Sequence, residues 1–119
     1  MPQATRFLVI EDDRDSREIT ALILRVQGHH VQVAEDRDKA LAMLLDESVD
    51  VIVMDYMMPG TSAFAFCQKI REQSPKTRII LTTAGNIVQA RADFLNIATF
   101  VRKPFTPEQL VAAITSPLT

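Results

Sequence analysis

Acidic residues follow two apolar segments of the chain. Glu11 and Asp12 come directly after FLVI (7–10), and Asp55 comes directly after VIVM (51–54). Short apolar runs with polar boundaries are typical of buried strands. A carboxylate at the end of such a strand can bind a metal ion, or it can act as a nucleophile toward phosphorus and form an acyl phosphate.

Hydroxyl and ammonium groups follow two further apolar segments. Thr82 and Thr83 end RIILTT (78–83), and Lys103 lies in TFVRKPF (99–105), where Pro104 stops a short predicted strand. Phosphoryl transfer requires mainly positioning and neutralisation of charge. A lysine could supply part of that neutralisation, and the Thr83 hydroxyl could hydrogen-bond a phosphoryl oxygen, whereas Thr82 is interpreted as a β-former.

The elements that must position these residues alternate strand and helix five times. Strands are predicted at 7–10, 30–34, 49–54, 78–83 and 99–105, and helices at 16–26, 37–47, 63–73, 87–95 and from Thr106, the expected N-cap, with Pro107 at the first helical position. The predicted helical apolar positions are Ile19, Leu22, Ile23 and Val26, then Ala40, Leu41, Leu44 and Leu45, then Phe66, Cys67 and Ile70. Strands that are apolar on both faces predict a parallel sheet covered by helices on both sides, a doubly wound α/β domain.

The sheet predicts where the polar residues meet. In an open parallel sheet, ligands bind at the carboxyl ends of the strands, which is where Glu11, Asp12, Asp55, Thr83 and Lys103 fall. Three carboxylates and one ammonium sum to a charge of −2, so a divalent cation would neutralise the site. Ligands that are all oxygen suit Mg²⁺.

Length and composition agree with one globular domain. The chain has 119 residues, 47% of them hydrophobic, and a net charge of −2, which offers no electrostatic argument for binding nucleic acid or an anionic membrane. Its single cysteine, Cys67, excludes an internal disulfide and is interpreted as inert core. Neither a membrane-spanning run nor a signal peptide is predicted, so we expect a cytoplasmic protein.

Four motifs together resemble the receiver domain of bacterial response regulators. They are VIEDD after the first strand, MDYMMPG after the third, TTA after the fourth and FVRKPF at the fifth. The resemblance covers about residues 6–116, so residues 1–119 are expected to form a single receiver domain. It implies a flavodoxin-like sheet of five strands in the order 2-1-3-4-5 with five flanking helices.

The resemblance also implies a role for each matching residue. Asp55 is similar to the phospho-acceptor, and Glu11 and Asp12 to the acidic pair that binds Mg²⁺, Asp12 directly and Glu11 through water. The Met57 backbone carbonyl would be a further metal ligand, and Asp55 itself lies at the metal. Thr83 matches the switch hydroxyl, Lys103 the phosphate-binding lysine and Phe100 the switch aromatic, although Phe100 could equally be static core. The Lys103–Pro104 bond is expected to be cis, and Asp13 is interpreted as a helix N-cap.

The implied function is that of a phosphorelay receiver. A phosphohistidine of a histidine kinase or a histidine phosphotransfer protein would donate to Asp55, and the change would reach a downstream protein target or a linked output domain. Such a domain catalyses only its own phosphorylation and dephosphorylation, and binds neither nucleic acid nor membrane itself.

Two alternatives stay open. The first is a degenerate receiver that binds partners without phosphorylation. The second is a phosphatase with an aspartyl nucleophile, but such enzymes usually carry a second acid two positions after the nucleophile, where this chain has Met57. A departure from the family pattern also bears on the signalling face: Gly85-Asn86 and a short interval before Lys103 predict a short or partly irregular fourth helix.

Overall fold

The strands of this protein form one parallel sheet. The computed structural model of the chain describes residues 5–60, 62–85 and 99–115. The strands are β1 (Arg6–Ile10), β2 (His30–Ala34), β3 (Val51–Asp55), β4 (Arg78–Thr83) and β5 (Thr99–Arg102). Their order is β2-β1-β3-β4-β5, and every pairing is parallel, which confirms the predicted topology.

Four helices lie within the described residues: α1 (Arg14–Val26), α2 (Arg37–Asp46), α3 (Ala63–Gln73) and α4 (Pro107–Thr115). The predicted irregular helix near residues 86–95 lies outside the described residues. The predicted bounds of α3 and β4 are confirmed, whereas α1 begins two residues earlier than predicted and β5 ends before Lys103.

Side-chain hydrogen bonds at the helix starts explain where the helices begin. Asp13, Asp36 and Ser62 each accept from a backbone N–H three residues ahead, as N-caps do. Thr106 accepts from the Gln109 N–H while the Gln109 side chain accepts from the Thr106 N–H. This reciprocal capping box starts α4 at Pro107, as the sequence predicts.

Alternate residues of the strands enter two separate cores. Leu8, Ile10, Ile52, Met54, Ile79 and Leu81 pack with Ala40 of α2 and with Phe66, Cys67 and Ile70 of α3. On the other face, Phe7, Val9, Val51, Val53, Ile80 and Val101 pack with Leu24 of α1 and Leu110 of α4. The helices therefore cover both faces of the sheet, and in such sheets ligands bind at the carboxyl ends of the strands.

The apolar residues predicted at helical spacing in α1 lie mostly outside the core. Ile19, Leu22 and Val26 are all more than half exposed, whereas Ile23 is partly buried and packs against the core that contains Leu24. The fully buried residues of α1 are Thr20, Ala21 and Leu24. Two of these three buried residues, Thr20 and Ala21, are small, so the buried stripe is less apolar than the exposed one. On α2, Leu45 is likewise exposed, while Ala40 is buried.

Candidate functional site

The carboxyl ends of β1 and β3 bring three carboxylates together. One oxygen each from Glu11, Asp12 and Asp55 lies within 4.8 Å of the others. Strands β1 and β3 are neighbours in register, with Ile10 opposite Met54, so the residues that follow them must meet. The predicted acidic cluster is therefore formed at the predicted edge of the sheet.

Lys103 completes this cluster from the far side of β4. Its ammonium Nζ lies 2.7 Å from Glu11 Oε1 and 3.3 Å from Asp55 Oδ2. The Lys103 N–H donates to the Thr83 carbonyl at 2.8 Å, which extends the β4–β5 pairing by one residue and places the lysine over the carboxylates. The Lys103–Pro104 bond is cis, as the resemblance implies.

The charges at this edge do not balance. Glu11 is 5% exposed, and burial raises the pKa of its carboxyl to about 7, with the hydrogen bond from Lys103 lowering it and the adjacent Asp55 carboxyl raising it. Burial by itself would lower the pKa of Lys103, but the hydrogen bond and charge of Glu11 and the charge of Asp55 raise it above its usual value. The Lys103 ammonium is thus shared between the carboxylates of Glu11 and Asp55, and a third carboxylate, that of Asp12, lies beside them.

The residues present fit a hard divalent cation. Glu11 Oε2 is buried and accepts no hydrogen bond from any residue in the described part of the chain. A buried acceptor without a donor is costly unless another positive group reaches it. The three side chains offer only oxygen ligands, which suits Mg²⁺ better than a softer metal.

The loop after β3 holds Asp55 from its own backbone. Asp55 Oδ1 accepts from the Met57 N–H at 3.0 Å, while the Tyr56 N–H donates to the Thr82 carbonyl at 2.8 Å. Met57 exposes 66% of its surface. The Asp55 side chain is consequently oriented with one oxygen on the loop amide and the other toward Lys103.

Thr83 and Phe100 lie on the strands beside this cluster. Thr83 is buried at the end of β4, and its Oγ1 accepts from the Gly85 N–H at 3.0 Å. Phe100 of β5 is 5% exposed, and its ring meets Tyr56 edge to face, with centroids 6.0 Å apart. Phe100 is therefore a core residue in this structure that also contacts the loop following Asp55.

Other residues take the positions expected of structural groups. Asp13 is the N-cap of α1, and its hydrogen bond from Ser16 keeps the pKa of its carboxyl low. Cys67 is buried, and burial raises the pKa of its thiol to about 12. His30 opens β2 opposite Arg6, at the other edge of the sheet from the carboxylates.

Arg37, the first residue of α2, was not recognised as a site residue from the sequence. Its side chain is 2% exposed and reaches under the loop after β3, where it donates to three backbone carbonyls. An arginine at the first helical position is not a signal by itself, because Arg14 opens α1 in the same way and is exposed.

Residues 7–115 match the family described as the response regulator receiver domain. The chain belongs to this family. In addition, the receiver domain is 31% identical over 111 residues to the transcriptional regulatory protein ResD of Bacillus subtilis (strain 168), covering 92% of this chain and 46% of ResD. It is 34% identical over 116 residues to the phosphate regulon transcriptional regulatory protein PhoB of Escherichia coli (strain K12), covering 93% of this chain and 50% of PhoB.

Solved structures show the same fold. The chemotaxis protein CheY4 of Vibrio cholerae superposes on the receiver domain with a TM-score of 0.86 and 28% identity, covering 94% of this chain and 97% of CheY4. The receiver domain spans about half the length of ResD and PhoB. The matched family consists of the receiver domains of response regulators, the proteins of two-component signalling. Within the part of the chain that is described, each helix falls short of the length and apolarity needed to cross a bilayer.

Proposed function

We propose that this receiver domain accepts a phosphoryl group on Asp55 in a Mg²⁺-dependent reaction and thereby switches a protein-binding face. The observation that carries the proposal is the meeting of Glu11, Asp12 and Asp55 with Lys103 at one edge of the sheet. A cluster of mutually repelling carboxylates, one with a strongly raised pKa, marks a functional site more often than a structural one.

The chain's own groups divide the chemistry among them. An Asp55 carboxylate oxygen attacks the phosphorus of a phosphohistidine, the P–N bond breaks, and the imidazole leaves with the electron pair and takes a proton from water. The product is an acyl phosphate on Asp55. Mg²⁺ bound by Glu11, Asp12, Asp55 and the Met57 carbonyl would supply positive charge for the phosphoryl oxygens.

Lys103 and Thr83 are placed to receive the phosphoryl group. The Lys103 ammonium would exchange its contact with Asp55 for one with a phosphoryl oxygen, because that oxygen carries more negative charge. The Thr83 hydroxyl accepts from Gly85, which leaves its hydrogen able to be donated to another phosphoryl oxygen. A shift of Thr83 would change the packing around Phe100, which is the proposed route to the binding face.

The proposed partners are those that are typical of the family. The donor would be a histidine kinase or a histidine phosphotransfer protein in the cytoplasm. The recipient of the signal would be a separate protein or an output domain linked to this chain, and any contact with DNA would belong to that output domain. We propose that the domain catalyses only its own phosphorylation and dephosphorylation.

Intact mass after incubation with acetyl phosphate and Mg²⁺ tests this function. The wild-type protein should gain one phosphoryl group, and Asp55→Asn should gain none. Asp50→Asn is the matched control, since Asp50 lies at the opposite edge of the sheet, where its side chain accepts from the Arg6 N–H, and this variant should be labelled like wild type.

Labelling of Asp55→Asn would contradict the assignment of the acceptor. Absence of labelling in wild type, both with acetyl phosphate and with its phosphorylated cognate histidine kinase, would contradict the proposal and favour the alternative of a domain that binds partners without phosphorylation.

A further inference from the structure

Arg37 occupies a position that is unfavourable for an arginine in two respects. It is the first residue of α2, directly after the N-cap Asp36, where the helix dipole disfavours a cation. It is also 2% exposed, although arginine is almost never fully buried without partners. Burial lowers the pKa of Arg37, with the charges of nearby groups, Asp55 and Asp12 among them, opposing that effect. Such a placement needs strong compensating contacts.

Those contacts are made with the end of β3 and the loop that follows it. The Arg37 Nη2 donates to the Asp55 carbonyl and to the Tyr56 carbonyl, both at 3.1 Å. Its Nη1 donates to the Met58 carbonyl at 3.4 Å, and its Nε lies 3.3 Å from the Met54 sulfur. A planar guanidinium with donors in a fixed fork can reach several carbonyls at once, which a lysine ammonium on a flexible stem does less well.

These hydrogen bonds hold the peptide units on both sides of Met57. The peptide between Tyr56 and Met57 is bound at both of its polar ends, its carbonyl by Arg37 and its N–H by Asp55 Oδ1. The peptide after Met58 is held by its carbonyl, since Pro59 has no N–H to offer. The Met57 carbonyl belongs to the peptide unit between these two held units. Because peptide units are planar, this middle unit can rotate only about the two backbone dihedral angles that join it to its neighbours. The direction of the Met57 carbonyl is therefore restricted.

We propose that Arg37 is a positioning residue that presents the Met57 carbonyl and the Asp55 side chain to Mg²⁺. This inference rests on the proposed function, because it assumes that Mg²⁺ binds at this edge. Groups that orient metal ligands typically change metal affinity by about 10- to 100-fold when they are replaced.

The charge of Arg37 and its hydrogen bonds should have opposite effects on Mg²⁺ affinity, so the two contributions can be measured separately. A cation beneath the carboxylates repels Mg²⁺, so removal of the Arg37 charge by itself should tighten Mg²⁺ binding. Loss of the carbonyl contacts should weaken it. Arg37→Lys keeps the charge and loses the fork, whereas Arg37→Met loses both.

The chain offers a built-in probe and a matched control. Tyr56 is the only tyrosine in the sequence, and there is no tryptophan, so intrinsic fluorescence reports from the residue next to Asp55. Arg71 of α3 is the control, because it also donates to two backbone carbonyls, those of Pro75 and Thr77, but at the opposite edge of the sheet.

The experiment is a Mg²⁺ titration of wild type, Arg37→Lys, Arg37→Met and Arg71→Met, followed by Tyr56 fluorescence and by calorimetry, with melting temperatures measured in parallel. We expect the Mg²⁺ dissociation constant of Arg37→Lys to rise about tenfold. Arg37→Met should also bind more weakly than wild type, but by a smaller factor. Arg71→Met should melt at a lower temperature with an unchanged Mg²⁺ dissociation constant.

Three results would overturn the proposal. Unchanged Mg²⁺ affinity in Arg37→Lys together with a lowered melting temperature would reduce Arg37 to a stabilising contact. Tighter binding by Arg37→Met with no change in Arg37→Lys would leave only a charge effect. An equal loss of Mg²⁺ affinity in Arg71→Met would make that loss a general consequence of destabilisation.

A measurement on wild type covers the case in which the variants do not fold. In a spectrum of ¹⁵N-arginine-labelled protein, the Arg37 guanidinium resonances should shift on addition of Mg²⁺ while those of Arg71 stay in place, and equal behaviour of the two would count against the proposal.

If wild type binds no Mg²⁺, the proposed metal site fails. The positioning role is then judged separately, by whether Arg37→Lys speeds hydrogen exchange of the Met57 amide in metal-free protein.

Discussion

The two edges of the sheet contain the same types of charged residue, but these residues make different contacts at each edge. At the amino ends of the strands, charges meet complementary groups: Asp50 accepts from the Arg6 N–H at 2.8 Å, and Arg6 pairs with Glu47 at 2.6 Å. Thr77 is buried there, and its hydroxyl donates to the Val49 carbonyl. At the carboxyl ends, three carboxylates lie together, one ammonium is shared between two of them, and Glu11 Oε2 lacks a donor among the described residues.

This difference shows where the fold is stabilised and where a ligand is expected. At the amino edge, the carboxylates of Asp50 and Glu47 each have a donor, and the buried atoms there without a hydrogen-bond partner among the described residues, such as His29 Nδ1 and Arg78 Nε, are nitrogens and not carboxylate oxygens. At the carboxyl edge the chain leaves a net negative charge that a cation can complete, and such local violations of good packing chemistry are expected at functional sites. The contrast can be tested by changing one group at a time on either edge.

Lys103→Met should have the largest effect. Removal of the ammonium leaves the buried Glu11 carboxylate without its partner, so we expect the free energy of unfolding of metal-free protein at pH 8 to fall by about 2 kcal/mol, below the range for fully buried pairs because Lys103 is partly exposed. The same variant should bind Mg²⁺ more tightly than wild type, since a competing cation is gone. Urea denaturation and a Mg²⁺ titration measure the two effects.

Lys76→Met is the control for this variant, since Lys76 is an exposed residue at the amino edge. Its unfolding free energy should change by less than about 0.5 kcal/mol. If Lys76→Met and Lys103→Met were equally destabilised, the contrast between the edges would fail.

The pH dependence of Mg²⁺ affinity should be the next largest effect. With a pKa of about 7, Glu11 is ionised in about one tenth of the metal-free molecules at pH 6 and in about nine tenths at pH 8. Because a protonated carboxyl is a poor metal ligand, the apparent Mg²⁺ affinity should rise roughly tenfold over this range. Calorimetric titrations at several pH values check this, and Glu11→Gln should remove most of the dependence.

The same carboxyl links stability to pH in the metal-free protein. Its folded pKa lies above the ordinary value of 4.5, so folding favours the protonated form. The contribution of Glu11 is therefore fully present below pH 4.5 and is lost as the pH rises through about 7. Saturating Mg²⁺ should reduce this loss, and a melting temperature that rose from pH 5 to pH 8 only in Glu11-containing protein would contradict the assignment.

Glu47→Gln should have the smallest effect. Arg6 and Glu47 form a close ion pair, but both side chains are about half exposed, and solvent screens such pairs strongly. We expect a change in unfolding free energy of less than about 0.5 kcal/mol and an unchanged Mg²⁺ dissociation constant. A loss above about 1 kcal/mol would contradict the expected weakness of this ion pair, and a shift in metal affinity would show that the amino edge is coupled to the site.

Most of the fold could be predicted because the strands carry strong local signals. RIILTT and the helix over residues 63–73 are found within the predicted bounds, since apolar runs and capping residues act over a few positions. The buried face of α1 could not be predicted, because two different stripes along this helix both contain apolar residues. The sheet selected the stripe with Thr20 and Ala21, whose small side chains permit close packing.

The members of the acidic cluster were predictable for a similar reason. Their positions at the ends of apolar strands place Glu11, Asp12 and Asp55 at one edge of any parallel sheet with neighbouring β1 and β3. The contribution of Arg37 was not predictable in this way, since its partners are backbone carbonyls, and a backbone carbonyl has no signature in a sequence.

The amino-acid sequence by itself thus determined the order of the elements, the parallel sheet and the identity of the acidic cluster. These depend on periodicity, capping and the chemistry of residue types, which are local properties. Only the tertiary structure decided that Lys103 lies 2.7 Å from Glu11, that burial raises the pKa of Glu11 to about 7, and that Arg37 lies beneath the loop after β3. Those facts depend on distance and solvent exclusion between segments far apart in the chain, which exist only once the sheet has formed.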